Sequence, residues 1–178
     1  MGRGRLPYAE SIRRLAELGF LRPGEQPPLP DRVPQPEDDA PLGLSFYRTF
    51  VGDGADLSNL SIPRTFFGRS DIRTASFRNT DLTESNLRWN DFTDVDFTEA
   101  TLARADLRAS LYTRVNFTRA DLRGAELRRA DFDHCVFDGA AMDGAVAARR
   151  QASQLALSSA QKGVVDWRDD DGPEPSGG

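Results

Sequence analysis

The chain has 178 residues, of which 38% are hydrophobic and 29% charged, and its net charge is −5. This length suits one domain, and the low hydrophobic fraction predicts a small core. A single cysteine, Cys135, and a single histidine, His134, exclude an internal disulfide, a cysteine-based metal cluster and most zinc sites. No apolar run approaches the roughly 20 residues that span a bilayer, and residues 1–14 lack the apolar stretch of a signal peptide. We therefore expect a cytoplasmic protein without a membrane partner.

Residues 1–52 predict an N-terminal helix, a proline-rich linker and a capping strand. Pro7 suits a first helical position and Gly19 the position just past a helix end, so a short amphipathic helix is expected over residues 7–19. Residues 22–41 contain seven prolines and indicate an extended, semi-rigid linker. Residues 42–52 carry spaced apolar residues and predict a strand that leads into the next region.

Residues 53–144 repeat with a period of five. Eighteen successive positions, stepping by five from Leu57 to Met142, are all large and apolar. A second column two residues earlier, from Ala55 to Ala140, is dominated by small residues, and Asp or Asn often separates the two columns. This period matches neither the 3.6 residues of a helix nor the 2 of a strand. It requires a backbone that turns a corner every five residues.

Four such five-residue sides close a square coil of 20 residues, and stacked coils hydrogen-bond at about the 4.8 Å spacing of strands. The stretch 120–124 (ADLRG) shows the unit: small, acidic, large apolar, then two polar residues. These residues resemble the pentapeptide-repeat family. The resemblance implies an all-β solenoid, a right-handed quadrilateral β-helix, here of about 4.5 coils with short flanking helices.

After Gly144 the repeat fails, and residues 145–168 predict a helical cap or a dimerisation segment. The open end of a solenoid exposes strand edges and core, so a cap is expected. Ser158 and Gln161 have the spacing of a capping box, which favours a short helix. Dimerisation through this segment is what the family resemblance implies. Residues 169–178 are acidic and predict a disordered tail.

Because the coil repeats every 20 residues, each outward-facing residue can be assigned to one of its four sides. The arginine-rich side (residues 66–69, 86–89, 106–109 and 126–129) carries five Arg against two acids, together with Phe66 and Trp89 at normally polar positions. Aromatic residues and Arg are concentrated in protein interfaces. The competing interpretation is that the N-terminal helix or linker covers these aromatic residues. The predicted partner-binding residues are Phe66, Arg69, Arg88, Trp89, Arg108, Arg128 and Arg129.

The acidic side (residues 71–74, 91–94, 111–114 and 131–134) is the alternative binding surface. It carries five acids against two Arg, and Leu111 interrupts its acidic ladder. The alternative site residues are Asp71, Asp91, Asp94, Asp131 and Asp133.

No enzyme, metal site or cofactor is predicted. His134 and Cys135 are adjacent, but successive residues of an extended segment point to opposite sides, and Cys135 belongs to the inward column of small residues. Asp131 and Asp133 beside one histidine are a weak signal for a metal. The glycines form no phosphate-binding loop.

Two functions agree with these features. The preferred one is a non-catalytic scaffold that sequesters or shields a bacterial partner protein, as an immunity protein or inhibitor does to a toxin-like partner. The alternative, implied by the family resemblance, is a DNA-mimicking binder that protects a type II topoisomerase, DNA gyrase. Residues 53–144 carry 16 acids and 12 Arg, which is weak mimicry of a phosphate backbone. Direct nucleic-acid binding is not expected, because the chain is acidic and lacks a basic motif.

Overall fold

A computed structural model describes residues 4–35, 37–38 and 42–170. Residues 171–178, most of the predicted acidic tail, lie outside the described residues. Short parallel strands dominate the chain, with three short helices at its ends. In order, the elements are α1 (Tyr8–Glu17), β1 (Ser45–Tyr47), β2 (Phe50–Val51), β3 (Phe66–Gly68), β4 (Asp71–Arg73), β5 (Asp91–Thr93), β6 (Leu111–Thr113), β7 (Asp131–Asp133), β8 (Val146–Ala148), a 3₁₀ helix (Arg149–Ser153), α2 (Ser159–Val164) and β9 (Asp166–Arg168).

The strands build a β-solenoid of about six turns. Strands β2, β4, β5, β6 and β7 form one parallel sheet, in which Ile72, Phe92, Tyr112 and Phe132 stack at a 20-residue spacing. Single bridges at the same spacing, such as Asp56 with Ser76, continue the pairing on the other sides of the coil. The predicted four-sided coil is therefore confirmed.

The predicted 4.5 coils are too few, because the solenoid continues past both ends of the period-five pattern. Phe46 pairs with Phe67, and Val51 with Ile72, at a spacing of 21 residues. One extra residue between Val51 and Leu57 shifts this first coil out of register, so a fixed period cannot reveal it. At the other end β9 pairs in parallel with β8 and adds a further turn.

Two aromatic stacks fill the axis of the rod. Ring centroids of Phe77, Phe97, Phe117 and Phe137 follow one another at 5.2, 5.5 and 5.0 Å. Phe92, Tyr112 and Phe132 form the second stack at 5.0 Å intervals. All seven rings are buried, and stacked aromatic pairs add to the free energy gained from burial alone. The column of large residues is therefore the hydrophobic core.

The N-terminal segment covers the first coil. Ile12 and Leu15 of α1 are buried in the core cluster, and Phe20 meets Phe46 edge to face at 5.8 Å. The Leu6 amide donates to Asn59 O at 2.8 Å, and the Ser61 amide to the Ser11 hydroxyl at 2.9 Å. The helix thus satisfies backbone groups of the exposed first coil while it buries apolar surface.

The described part of the proline-rich linker packs along the rod. Pro30 and Pro34 are buried. Their carbonyl oxygens accept hydrogen bonds from Arg64 Nη1 at 2.8 Å and Asn86 Nδ2 at 3.3 Å, respectively. The linker therefore reaches the arginine-rich side at Asn86.

Two glutamine side chains continue the hydrogen-bond ladder where the C-terminal segment leaves it. Gln151 Nε2 donates to Leu127 O and Ala130 O, both at 2.8 Å. Gln161 Nε2 donates to Phe137 O at 2.7 Å and Ala140 O at 3.0 Å. Gln151 Nε2 supplies to Ala130 O, and Gln161 Nε2 to Ala140 O, the donor that a backbone N–H of the next coil supplies elsewhere, as the Asp131 amide does for Ser110 O.

Truncating a stacked ring should destabilise the rod far more than truncating an exposed one. We expect Phe97→Ala to lower the free energy of unfolding by about 3–5 kcal/mol, because it opens a cavity between buried rings. Phe50→Ala, at a ring that is 57% exposed, should cost less than about 1 kcal/mol. Guanidinium denaturation followed by circular dichroism measures both; equal costs would contradict the stacked core.

Removing the Gln151 amide should fray the C-terminal end. Gln151→Ala leaves Leu127 O, Ala130 O and the Ala148 amide without their side-chain partner, and we expect a cost of at least about 2 kcal/mol. Gln154→Ala, at an exposed position in the same segment, is the matched control and should be neutral. Amide hydrogen exchange in residues 127–148 reports the effect; unchanged protection in Gln151→Ala would refute this role.

Candidate protein interface

The three stacked arginines of the arginine-rich side are held in internal ion pairs. Arg108 contacts both carboxylate oxygens of Asp106 at 2.9 and 2.8 Å. Arg128 contacts Glu126 in the same way, at 2.9 and 2.8 Å, and this bond raises the pKa of Arg128. Arg88 is buried, with its Nε 3.9 Å from Asp106 Oδ2. The arginines of the predicted ladder therefore pair with acidic residues on their own side of the rod.

Phe66 lies flat against the rod, half-buried. A Cβ atom on Gly68 would stand 2.7 Å from two atoms of the Phe66 ring, so this position requires glycine for the close approach. The ring centroid of Tyr47 in the preceding coil lies 6.3 Å away. Phe66 thus supports its neighbours and offers only part of its ring to a partner.

Trp89 is exposed at a corner of the coil and held in place. Its φ of 57° is the left-handed conformation that the corner residues share, and 45% of its surface is accessible. The Arg88 guanidinium lies 4.3 Å from the centroid of its ring, a cation–π contact. The Trp89 carbonyl accepts from the Arg69 amide at 2.9 Å, which stacks the two residues on successive coils.

Sequence reasoning missed three exposed apolar residues near Trp89. Tyr47 and Phe50 are 48% and 57% exposed, and Leu111 is 48% exposed. Tyr47 and Phe50 belong to the 21-residue coil, so a 20-residue period assigns them to no side. Leu111 interrupts the acidic ladder, and the sequence does not indicate its position beside Trp89. With the corner residues they define a surface that we call the aromatic corner: Tyr47, Arg48, Phe50, Arg69, Trp89 and Leu111. Asp71 and Asp91 lie in register between Phe50 and Leu111.

Arg48 and Arg69 differ from most arginines of the solenoid. Arg48 lies 5.3 Å from the centroid of the Tyr47 ring, and Arg69 is exposed. Among the described residues, no carboxylate lies within ion-pair distance of either guanidinium. Five other exposed arginines each pair with an acid: Arg73 with Asp71, Arg78 with Asp96, Arg114 with Asp94, Arg119 with Glu99, and Arg123 with Asp121.

The remaining predicted arginine, Arg129, is also exposed at this corner. It lies two coils beyond Trp89, with Ala109 between them in the corner column. The small side chain of Ala109 leaves Trp89 open on that side.

Two carboxylates of the acidic side are neutralised by arginines. Asp71 contacts Arg73 Nε at 2.8 Å. Asp94 contacts Arg114 at 2.7 and 2.9 Å, and this hydrogen-bonded pair lowers the pKa of Asp94. These ion pairs reduce the negative potential that a DNA mimic would need.

The other acids of this side are separated by an apolar residue. Leu111 stands in register between Asp91 and Asp131, with one coil on either side. Asp133 Oδ1 lies 2.7 Å from Nδ1 of exposed His134. The acidic side is thus interrupted along the rod.

Cys135 is not poised for catalysis. The thiol is buried and donates toward Tyr112 O at 3.2 Å, and burial raises its pKa to about 11. His134 is exposed and contacts Asp133, as the alternation of an extended segment predicts.

Across residues 4–35, 37–38 and 42–170, no group of His, Cys, Asp and Glu side chains could hold a metal ion. In the same residues no helix has the length and apolar character to cross a membrane.

Comparison with known proteins identifies the class of fold. The pentapeptide-repeat family model matches eight copies of its repeat, over residues 53–88 and 113–146. The solved structure of Rfr23, a pentapeptide-repeat protein from the cyanobacterium Cyanothece 51142, is 22% identical, with a TM-score of 0.52 over 56% of this chain and 80% of that one. The fold is thus a right-handed quadrilateral β-helix. Residues 53–88 and 113–146 carry pentapeptide repeats.

Two further solved structures superpose with lower TM-scores. A pentapeptide-repeat protein of the Arabidopsis thaliana thylakoid lumen is 27% identical, with a TM-score of 0.33 over 64% of this chain and 72% of that one. QnrB1, a plasmid-mediated fluoroquinolone resistance protein, is 12% identical, with a TM-score of 0.38 over 58% of this chain and 64% of that one. Comparison with curated proteins gave no match.

The Cys135 thiol should be inert in the folded protein. With its pKa raised to about 11, about 0.1% of the thiol is ionised at pH 8. We expect no reaction with a chromogenic disulfide reagent at pH 8, full reaction in guanidinium, and reactivity that rises only as the pH approaches 11. A native reaction as fast as that of free cysteine at pH 8 would contradict this burial.

Proposed function

We propose that this protein is a rigid, non-catalytic scaffold of the bacterial cytoplasm that binds a partner protein and shields its working surface, as an immunity protein or inhibitor does. The observation that carries the proposal is the aromatic corner, which combines exposed Trp89 with exposed Tyr47, Phe50 and Leu111 on two adjoining sides of the rod. Tryptophan and arginine dominate the binding energy of protein interfaces.

The mechanism is steric. Six rises of about 4.8 Å give a rod of about 29 Å, long enough to cover a cleft or a docking surface. The corner residues are fixed by backbone hydrogen bonds between coils, such as that from the Arg69 amide to Trp89 O. A surface that is already ordered pays little conformational entropy on binding.

Capture of partners from a bacterial lysate, with identification by mass spectrometry, tests the proposal. We expect a specific partner to be retained by the wild-type protein and by Val136→Ala, whose side chain is 40% exposed on another side. Trp89→Ala should weaken its binding at least about tenfold, because an interface tryptophan is typically worth 2 kcal/mol or more. A partner that binds Trp89→Ala as well as it binds the wild type would refute this interface.

The topoisomerase alternative has a distinct outcome in the same experiment. Recovery of DNA gyrase subunits, insensitive to Trp89→Ala but lost on charge reversal of Asp91 and Asp131, would assign binding to the acidic side. That result would replace the scaffold proposal with DNA mimicry.

A further inference from the structure

We infer that the aromatic corner recognises a short acidic segment of its partner that carries an apolar side chain. In this arrangement Arg48 and Arg69 bind carboxylates of the segment, and Trp89 packs against the apolar side chain. The inference rests on the proposed function and names the chemistry of the partner.

Charge is the first argument. Arg48 and Arg69 occupy neighbouring coils of one corner, since β1 pairs with β3 in the register Tyr47 with Gly68. Neither guanidinium has a carboxylate within ion-pair distance among the described residues, whereas Arg108, Arg114, Arg119 and Arg123 each pair with an acid. Guanidinium groups bind carboxylates through paired hydrogen bonds. Among the residues that the structure describes, the corner therefore offers two cations with no carboxylate at ion-pair distance.

The surrounding apolar surface is the second argument. Trp89 is packed on one side by the Arg88 guanidinium and is still 45% exposed. Phe50 covers Gly52, where an added Cβ would overlap the ring, and the Phe50 side chain remains exposed on its outer side. An aromatic surface with two cations on one side matches a ligand that carries carboxylates next to an apolar side chain.

A nearby acid argues against a long polyanion. Asp91 follows Trp89 by two residues and lies directly beside the corner on the adjoining sheet. A nucleic-acid backbone with regularly spaced phosphates would meet this carboxylate, and like charges repel. A short peptide segment can place its carboxylates on Arg48 and Arg69 alone.

Peptide binding to the full chain tests the inference. In a Trp167→Phe background the fluorescence reports Trp89 alone. The probes are an acetylated peptide, Gly-Glu-Asp-Leu-Glu-Asp-Gly, its neutral counterpart, Gly-Gln-Asn-Leu-Gln-Asn-Gly, and a single-stranded oligonucleotide. We expect the acidic peptide to bind at least about tenfold more tightly than the neutral peptide, with affinity that falls severalfold between low and physiological salt.

The double variant Arg48→Gln/Arg69→Gln should lose this preference, and the matched variant Arg73→Gln/Arg119→Gln, at ion-paired arginines, should keep it. Equal binding of both peptides, full retention in the Arg48/Arg69 variant, or tighter binding of the oligonucleotide would each overturn the inference. Binding of the partner protein captured from the lysate distinguishes this inference from the proposed function. Loss of that partner in Trp89→Ala with full retention in Arg48→Gln/Arg69→Gln would leave the interface in place and reject its acidic ligand.

Discussion

The structure depends on one backbone constraint: the chain turns a corner every five residues, so that each residue lies above the residue 20 positions later. Corner residues such as Arg64, Trp89 and Arg114 hold φ near 55°, a conformation that costs ordinary residues free energy. Amide-to-carbonyl bonds between coils offset this cost, for example from the Arg64 amide to Thr83 O at 2.8 Å. Without these corners, no column of large side chains would meet on the axis.

The same stacking of coils determines how charged residues are arranged on the surface. Asp and Asn between the inward columns accept hydrogen bonds from amides two residues later, as Asp96 does from Thr98, so part of the acidic composition stabilises the coil itself. Many remaining acids pair with arginines on the same side or one coil away, such as Glu99 with Arg119. The aromatic corner departs from this pattern where the 21-residue coil joins the regular ones. A change of register therefore coincides with the surface that we propose as functional.

Both ends of the rod need caps because a solenoid is open at its ends. At the first coil, a helix with buried Ile12 and Leu15 closes the core. At the last coil, Gln151 and Gln161 donate to carbonyls while the backbone departs from the ladder. Side-chain amides can perform this role because they carry two donors and one acceptor in a planar group like that of the backbone.

The sequence by itself determined the coil, its core and the orientation of Cys135 and His134, because a strict period makes every inward position repeat over many coils. It could not reveal the first coil, where one added residue moves Phe46 and Val51 out of register. Only the tertiary structure decided which surface charges are neutralised, such as Arg108 by Asp106, and which aromatic residues stay exposed. Ion pairing and burial depend on distances between side chains on different coils and on the path of the linker, and neither is periodic.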